Sequence, residues 1–517
     1  MKKKLRGLLR IVFGRTAFML LFLILQLAFF FGIIRWLSEY SLIFYAGVHF
    51  LGALTCIYIY NKPENPSFKL SWMIPVLAVP IFGTLLYLYV ELEISGRIIS
   101  KRANQLIKES KAYLKQDEEV FAHLNQDEER MGGLAHYVEQ FGGFPVYENF
   151  TAEYFSSGEE KFERLKEELE KAEKFIFMEY FIVEHGVMWD SILEILERKA
   201  KEGVEVRFMY DGMCSIALLP YHYPRELEAK GIHCHAFAPI KPALSTYQNN
   251  RDHRKIVVID GQTAFTGGVN LADEYINVRE RFGYWKDVAV MMKGECVKNF
   301  TIMFLQMWNI WERVPLDYEK YVSKTLPQLP KERDCGGFAL PYGDSPLDHE
   351  AVGKMVYLDI LHTAEKYVHI MTPYLILDDE TINALCYAAK RGVDVKIIMP
   401  DIPDKKYAFL LAHTYYLELM QAGVEIYQFK PGFVHAKVFT SDGTKAVVGS
   451  INLDFRSLYH HFECAVLMYK NQVVMDVETD FQQTLTKCRQ IFPEEIQQAP
   501  FWKKAAGTIL KLIAPMM

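Results

Sequence analysis

Apolar and polar positions are spread very unevenly along this chain. Three apolar runs crowd the first ninety residues, from Thr16 to Ile34, Tyr40 to Tyr60 and Trp72 to Val90. Each approaches the roughly 20 residues with which a helix crosses a bilayer core. Their interiors hold no Lys, Arg, Asp or Glu, as an environment that cannot solvate charge requires. Trp36, Tyr40, Tyr58, Tyr60, Trp72, Tyr87 and Tyr89 stand near the run ends, where amphipathic rings favour the interface. The pattern predicts a membrane anchor over residues 1–95, with two or three transmembrane helices. No small-residue cleavage site follows the first run, which argues against a signal peptide.

Charge refines the topology. Lys2, Lys3, Lys4, Arg6, Arg10 and Arg15 favour a cytoplasmic N-terminus. Arg97, Lys101, Arg102, Lys108, Lys111 and Lys115 follow the third run and by the same rule also favour the cytoplasm. One of the three runs is therefore a candidate re-entrant or interfacial hairpin.

A charged, helix-favouring connector occupies residues 96–135, and the periodicity then changes. Phe162, Leu165, Leu169 and Ala172 recur at helical spacing, with Glu159, Glu160, Lys166, Glu167 and Lys171 on the opposite face. The apolar run Phe175 to Phe181, a helix around Ile192 to Lys201 and a strand from Val204 to Tyr210 follow. Helices alternating with short β-rich runs predict an α/β body, mixed sheets flanked by helices.

That body repeats. Ala200-Lys-Glu-Gly-Val-Glu-Val-Arg207 matches Ala389-Lys-Arg-Gly-Val-Asp-Val-Lys396, and Gly267-Gly-Val-Asn270 matches Gly449-Ser-Ile-Asn452. About ten extra residues precede the histidine of the first copy. Two copies, each long enough for its own core, make a duplicated domain rather than a solenoid. The predicted boundaries are 136–320 and 321–517, the second ending in the amphipathic stretch Trp502 to Met517.

Composition narrows the function. The net charge of -6 speaks against a nucleic-acid partner. The eight cysteines are scattered without a C-x-x-C pair, so neither a zinc site nor a disulfide scaffold is expected. No cofactor and no metal are expected either, since no His, Asp or Glu cluster is visible in the sequence.

The chemistry lies in a doubled motif. His253, Lys255 and Asp260 obey the pattern H-x-K-x-x-x-x-D, and so do His435, Lys437 and Asp442. Alternation along a strand puts each His and Lys on one face. Asp-Gly then turns the chain, and a returning strand carries Asn270 or Asn452 toward the same end. Facing each other, two such hairpins would supply ammonium and amide donors for a phosphoryl group. One imidazole can attack phosphorus while the other protonates the leaving alkoxide. Asp287 and Glu463 each lead an apolar strand at matching places and are the expected histidine orienters. Asp260 and Asp442 are candidates both for catalysis and for purely local turn structure.

At these residues the chain resembles the phospholipase D superfamily, and more closely its bacterial cardiolipin synthases. The closer likeness rests on Trp72-Met-Ile-Pro75, Pro80-Ile-Phe-Gly-Thr-Leu-Leu-Tyr87, Thr372-Pro-Tyr374, Gly432-Phe-Val-His-Ala-Lys437 and Asn452-Leu-Asp-Phe-Arg-Ser457. Gly268 departs from the usual pattern, which has serine there, as Ser450 does in the second copy. The resemblance implies two pseudo-symmetric domains and a multi-pass protein of the cell membrane. It implies transfer of a phosphatidyl group between two phosphatidylglycerol molecules, with His253 as nucleophile and His435 as general acid. A lipid hydrolase, or a transferase using another alcohol, is the alternative.

Overall fold

The computed structural model describes residues 24, 27–28, 41–91, 94–238, 250–322, 336–348 and 350–516. The chain forms two compact units. One comprises residues 1–100, 240–250 and 509–517, and the other residues 101–239 and 251–508.

In the first unit, α1 (Ser41–Tyr60), α2 (Pro66–Ala78) and α3 (Pro80–Glu91) bury Cys56, Ile59, Val76 and Tyr87 together. Asn65 caps α2 by accepting from the amide of Ser67 at 2.9 Å, with Pro66 in the first turn. The first apolar run lies outside the described residues apart from Ile24, Leu27 and Ala28. The third is not one span. Pro75 lies inside α2, Pro80 lacks an amide hydrogen, and Val79 between them leaves helical geometry at φ -137°. A β-carbon on Gly83 would stand 2.3 Å from the Pro75 carbonyl oxygen, so only glycine permits this close approach. Helices of 13 and 12 residues reach only about 20 Å, short of a hydrocarbon core of about 30 Å. Among the described residues no helix is long and apolar enough to cross a membrane. The two or three predicted crossings therefore have no counterpart there. Ile43, Phe50, Leu51, Leu54 and Ile57 of α1 are nonetheless exposed.

The second unit is built on two sheets of matching topology. In the first, β1 (Phe150–Phe155), β9 (Ala289–Gly294), β7 (Thr263–Gly267), β6 (Ile256–Ile259), β2 (Phe175–Tyr180), β3 (Glu205–Asp211) and β4 (Ile232–Phe237) lie side by side in that order. In the second, the order is β10 (Phe338–Asp344), β17 (His461–Tyr469), β16 (Lys445–Gly449), β15 (Val438–Ser441), β11 (Tyr367–Met371), β12 (Asp394–Pro400), β13 (Glu425–Phe429) and β18 (Cys488–Gln490). β2, β3 and β4 run parallel, as do β11, β12 and β13, and antiparallel hairpins complete each sheet. This is the α/β arrangement expected from the alternating pattern. Helices α4 (Gly158–Glu170), α5 (Val187–Lys201) and α6 (Val297–Trp311) pack the first sheet; α7 (Val352–Thr363) and α8 (Asp379–Lys390) pack the second.

Each half also lends backbone to the other. β5 (Arg251–Asp252) joins β17 in parallel, pairing Arg251 with His461 and Asp252 with Phe462. Correspondingly, β14 (Gly432–Val434) joins β8 (Tyr284–Lys286). The insertion predicted before His253 falls where residues 239–249 lie outside the described set. The seven described cysteines are unpaired. Near the C-terminus, α9 (Phe501–Ile513) is a helix that exposes Phe501, Trp502, Ile509 and Leu512.

Candidate active site

The exchanged strands decide where the motif residues go. Having paired with β17, the chain hangs the amide of His253 on the carbonyl of Phe462 at 3.0 Å. His435 does the same with the carbonyl of Lys286 at 2.7 Å. The expected strand therefore starts later than the motif suggests. β6 begins at Ile256 and β15 at Val438, because the preceding backbone bonds to the opposite half instead of its own ladder. Extended alternation still holds. Arg254 turns away from its neighbours to bond Glu179 at 2.7 Å, while His253 and Lys255 share the other side.

The imidazole–carboxylate pairs cross between halves. His253 Nδ1 lies 2.9 Å from Glu463 Oε1, and His435 Nδ1 lies 2.7 Å from Asp287 Oδ2. Both carboxylates are fully buried and both histidines nearly so. A carboxylate on Nδ1 holds the proton there and leaves Nε2 with a free lone pair. Lys255 and Lys437 each donate from Nζ to the carbonyl of the histidine two residues earlier.

Burial dominates the electrostatics. It pulls both histidines well below their usual range, with Lys255 adding repulsion at His253 and Lys437 and Lys255 at His435. It lowers Lys255 to about 8 and Lys437 to about 7, although Glu463 and Asp287 work the other way. It raises Asp287 to about 6 against the pull of Lys437. At Glu463 burial is outweighed by His253, His461 and Lys255, and the carboxylate is held well below the ordinary range. The charge of Lys255 thus acts on His435, Lys437 and Asp287, so groups from both halves share one polar cluster.

Asp260 and Asp442 bond to backbone amides of their own halves. They sit at the far ends of β6 and β15, with φ near 55°. The carboxylate of Asp260 accepts from the amides of Glu173, Lys174 and Phe175 at 2.7–2.8 Å. Asp442 accepts from Glu365, Lys366 and Tyr367 at 2.8–2.9 Å. Each clamps its turn to the start of a neighbouring strand, the local role that an Asp-Gly turn allows. Asn270 accepts from the amide of Ile182 at 3.0 Å and donates to the Tyr275 hydroxyl at 2.8 Å. Asn452 keeps a buried Oδ1 without a hydrogen-bond partner.

The Gly268 departure has a steric cause. Ser450 donates its hydroxyl to Glu463 Oε2. A β-carbon on Gly268 would lie 2.0 Å from Asp287 Oδ1, so the shorter carboxylate fills the space that the serine uses in the other half.

Sequence reasoning missed the aromatic shell and one imidazole. Tyr275 and Trp285 pack on His435 with ring centres at 5.3 and 5.4 Å, and Phe181 packs on His253 at 4.9 Å. His461 lies 5.4 Å from His253. Its signal was present, since it precedes Glu463 by two positions and so shares its strand face, as Trp285 does with Asp287. With it, His253 and Glu463 form a group of potential metal ligands whose donor atoms lie within 4.8 Å of one another. The sequence had offered no such cluster.

A duplicated α/β body with two crossed His–carboxylate pairs and two buried lysines defines a phospholipase D-like protein. The family model described as "Cardiolipin synthase, PLD-like domain" matches residues 165–308 and 357–485, and the chain belongs to that family. It is 32% identical to a cardiolipin synthase of Alkalihalophilus pseudofirmus over 92% of this chain and 93% of the relative. It is 36% identical to one of Geobacillus kaustophilus, over 70% and 71%. An uncharacterized protein of Streptococcus mutans is 50% identical, over 89% and 99%. The fold matches phosphatidylserine synthase of Haemophilus influenzae at a TM-score of 0.57 and 15% identity, over 74% of this chain and all of that one.

Proposed function

We propose that this chain is a cardiolipin synthase, joining two phosphatidylglycerol molecules and releasing glycerol. The crossed pairs His253–Glu463 and His435–Asp287 carry the reading, and family membership supports it. His253 Nε2 attacks the phosphodiester phosphorus, the P–O bond to glycerol breaks, and His435 gives a proton to the departing alkoxide. His435, now neutral, takes the proton from the terminal hydroxyl of a second phosphatidylglycerol. That oxygen attacks phosphorus, the P–N bond breaks, and His253 is restored.

The depressed basicity of the two histidines and two lysines fits this cycle. An entering phosphodiester brings negative charge beside Lys255, Lys437 and His435, which favours their protonated forms. The ammonium groups then balance charge on the phosphoryl oxygens, with Asn270 and Asn452 as further donors.

Residues 136–320 and 321–517 would form the two catalytic halves, following the connector at 96–135. The N-terminal helices would hold the protein on the membrane, where its lipid substrate resides. Exposed apolar residues on α1 and the prolines that split α2 from α3 support shallow or re-entrant insertion of that region. Chromatography of lipids made by the purified protein from phosphatidylglycerol tests the reaction. Cardiolipin with wild type and none with His253→Ala is expected; phosphatidic acid without cardiolipin would mean a hydrolase.

A further inference from the structure

We propose that His253, His461 and Glu463 form an inhibitory site for a divalent transition metal such as zinc. Glu463 Oε1 stands between two imidazoles, 2.9 Å from His253 Nδ1 and 3.7 Å from His461 Nδ1. Ligands about 2.1 Å from a tetrahedral zinc are about 3.4 Å apart, so the two separations from Glu463 bracket the required one, and all three donor atoms lie within 4.8 Å of one another. Two histidines and a glutamate are also a donor set that zinc accepts while keeping a position open for water.

His461 supplies an independent observation. Its side chain is 8% exposed and both ring nitrogens are buried: Nδ1 reaches Glu463 Oε1 only at 3.7 Å, beyond hydrogen-bond distance, and Nε2 has no hydrogen-bond partner. Buried polar groups are seldom left so, because each forfeits the water it would otherwise bind. A metal would satisfy one of them. The other half-site is a natural control, since Trp285 occupies the matching position beside His435 and has no lone pair to offer. Lys255 opposes a cation here, so a reversible, micromolar site is expected rather than a permanent centre.

The consequence rests on the reading of His253 as nucleophile. A metal on Nδ1 takes the position held by the proton in the bond to Glu463. The neutral imidazole then carries its proton on Nε2, and the lone pair that attacks phosphorus is lost. Glu463 is drawn to the metal as well and no longer orients the ring.

Cobalt titration of the full-length protein in detergent tests the site through its visible absorption, independently of activity. Wild type should bind one equivalent, with affinity at least about tenfold weaker in His461→Trp and in His461→Phe, both checked for native melting. Zinc should slow cardiolipin formation about tenfold or more in wild type, reversibly with chelator, and by less than about twofold in the His461 variants. Absence of cobalt binding, or equal binding in the folded His461 variants, overturns the site. Binding through His461 that leaves the rate untouched overturns the inhibition. Were the metal-free protein to make no cardiolipin, the functional reading would fall, while the cobalt titration would still decide the site.

Discussion

The two half-sites share a plan and differ in nearly every detail of support. His253 leans on a glutamate that also receives the Ser450 hydroxyl and is firmly ionised. His435 leans on an aspartate with no serine beside it, whose carboxyl is raised to about 6 by burial. One imidazole has His461 for a neighbour and the other Tyr275, Trp285 and Phe433. A nucleophile profits from a carboxylate that never lets go, because the imidazole must keep its proton on Nδ1 throughout the attack. A group that gives and takes a proton each cycle profits from a partner of intermediate basicity. If His253 is the nucleophile and His435 the acid and base, as proposed, the duplicated fold provides two positions and side-chain changes divide the labour between them.

The largest test of that division is removal of each imidazole. His253→Ala and His435→Ala should each lower cardiolipin formation by about 10⁴-fold, and the double variant should be little worse, since the two act as one unit. They should differ in what they trap. With labelled phosphatidylglycerol, His435→Ala should retain some covalent label and His253→Ala none; the reverse pattern would exchange the roles.

Next come the carboxylates. Glu463→Gln should cost about 10³-fold and Asp287→Asn about 10²-fold in kcat, because an amide presents the wrong donor to Nδ1. Equal losses would contradict the difference in ionisation. Among the small residues, Gly268→Ser should cost about 10²-fold, as its side chain meets Asp287 at 2.0 Å and displaces the carboxylate from His435. Ser450→Gly removes one hydrogen bond to a charged group and should cost only about tenfold. Steady-state rates of the four variants, measured in one lipid mixture, would rank them.

The sequence displayed the halves and the paired motifs because a repeat makes each copy a witness for the other. It also showed both orienting carboxylates at matching positions. That they serve the opposite half was hidden, for crossing depends on β5 and β14 leaving their own sheets, and no local periodicity records a partner more than 140 residues away. The role of Asp260 and Asp442 was visible only as an ambiguity, since an Asp-Gly turn has the same composition whether its carboxylate faces a substrate or a backbone. Their clamp predicts a separate outcome. Asp260→Ala and Asp442→Ala should each lower stability by about 1–3 kcal/mol by thermal melting, with activity at low temperature within about tenfold of wild type. Among the apolar runs, length alone promised a third crossing, and Pro75 and Pro80 are the residues that divide it.

The subtlest test of the asymmetry is pH. With His435 taking up its proton together with the anionic substrate, as proposed above, the remaining pH dependence of kcat/KM should follow Asp287 and the two lysines. Asp287, raised to about 6 by burial, becomes protonated as pH falls through that value and then offers His435 Nδ1 only a neutral, weaker acceptor, so activity should fall on the acid side near pH 6. Lys437 and Lys255, lowered by burial to about 7 and about 8, lose their protons as pH rises, so activity should fall on the alkaline side across that interval. Glu463 stays ionised throughout and contributes no limb. In Asp287→Asn the acid limb should therefore vanish while the alkaline limb remains. In Glu463→Gln both limbs should persist beneath a lower rate. An acid limb that survives in Asp287→Asn would move the titration to another group and remove the proposed contrast between the two carboxylates.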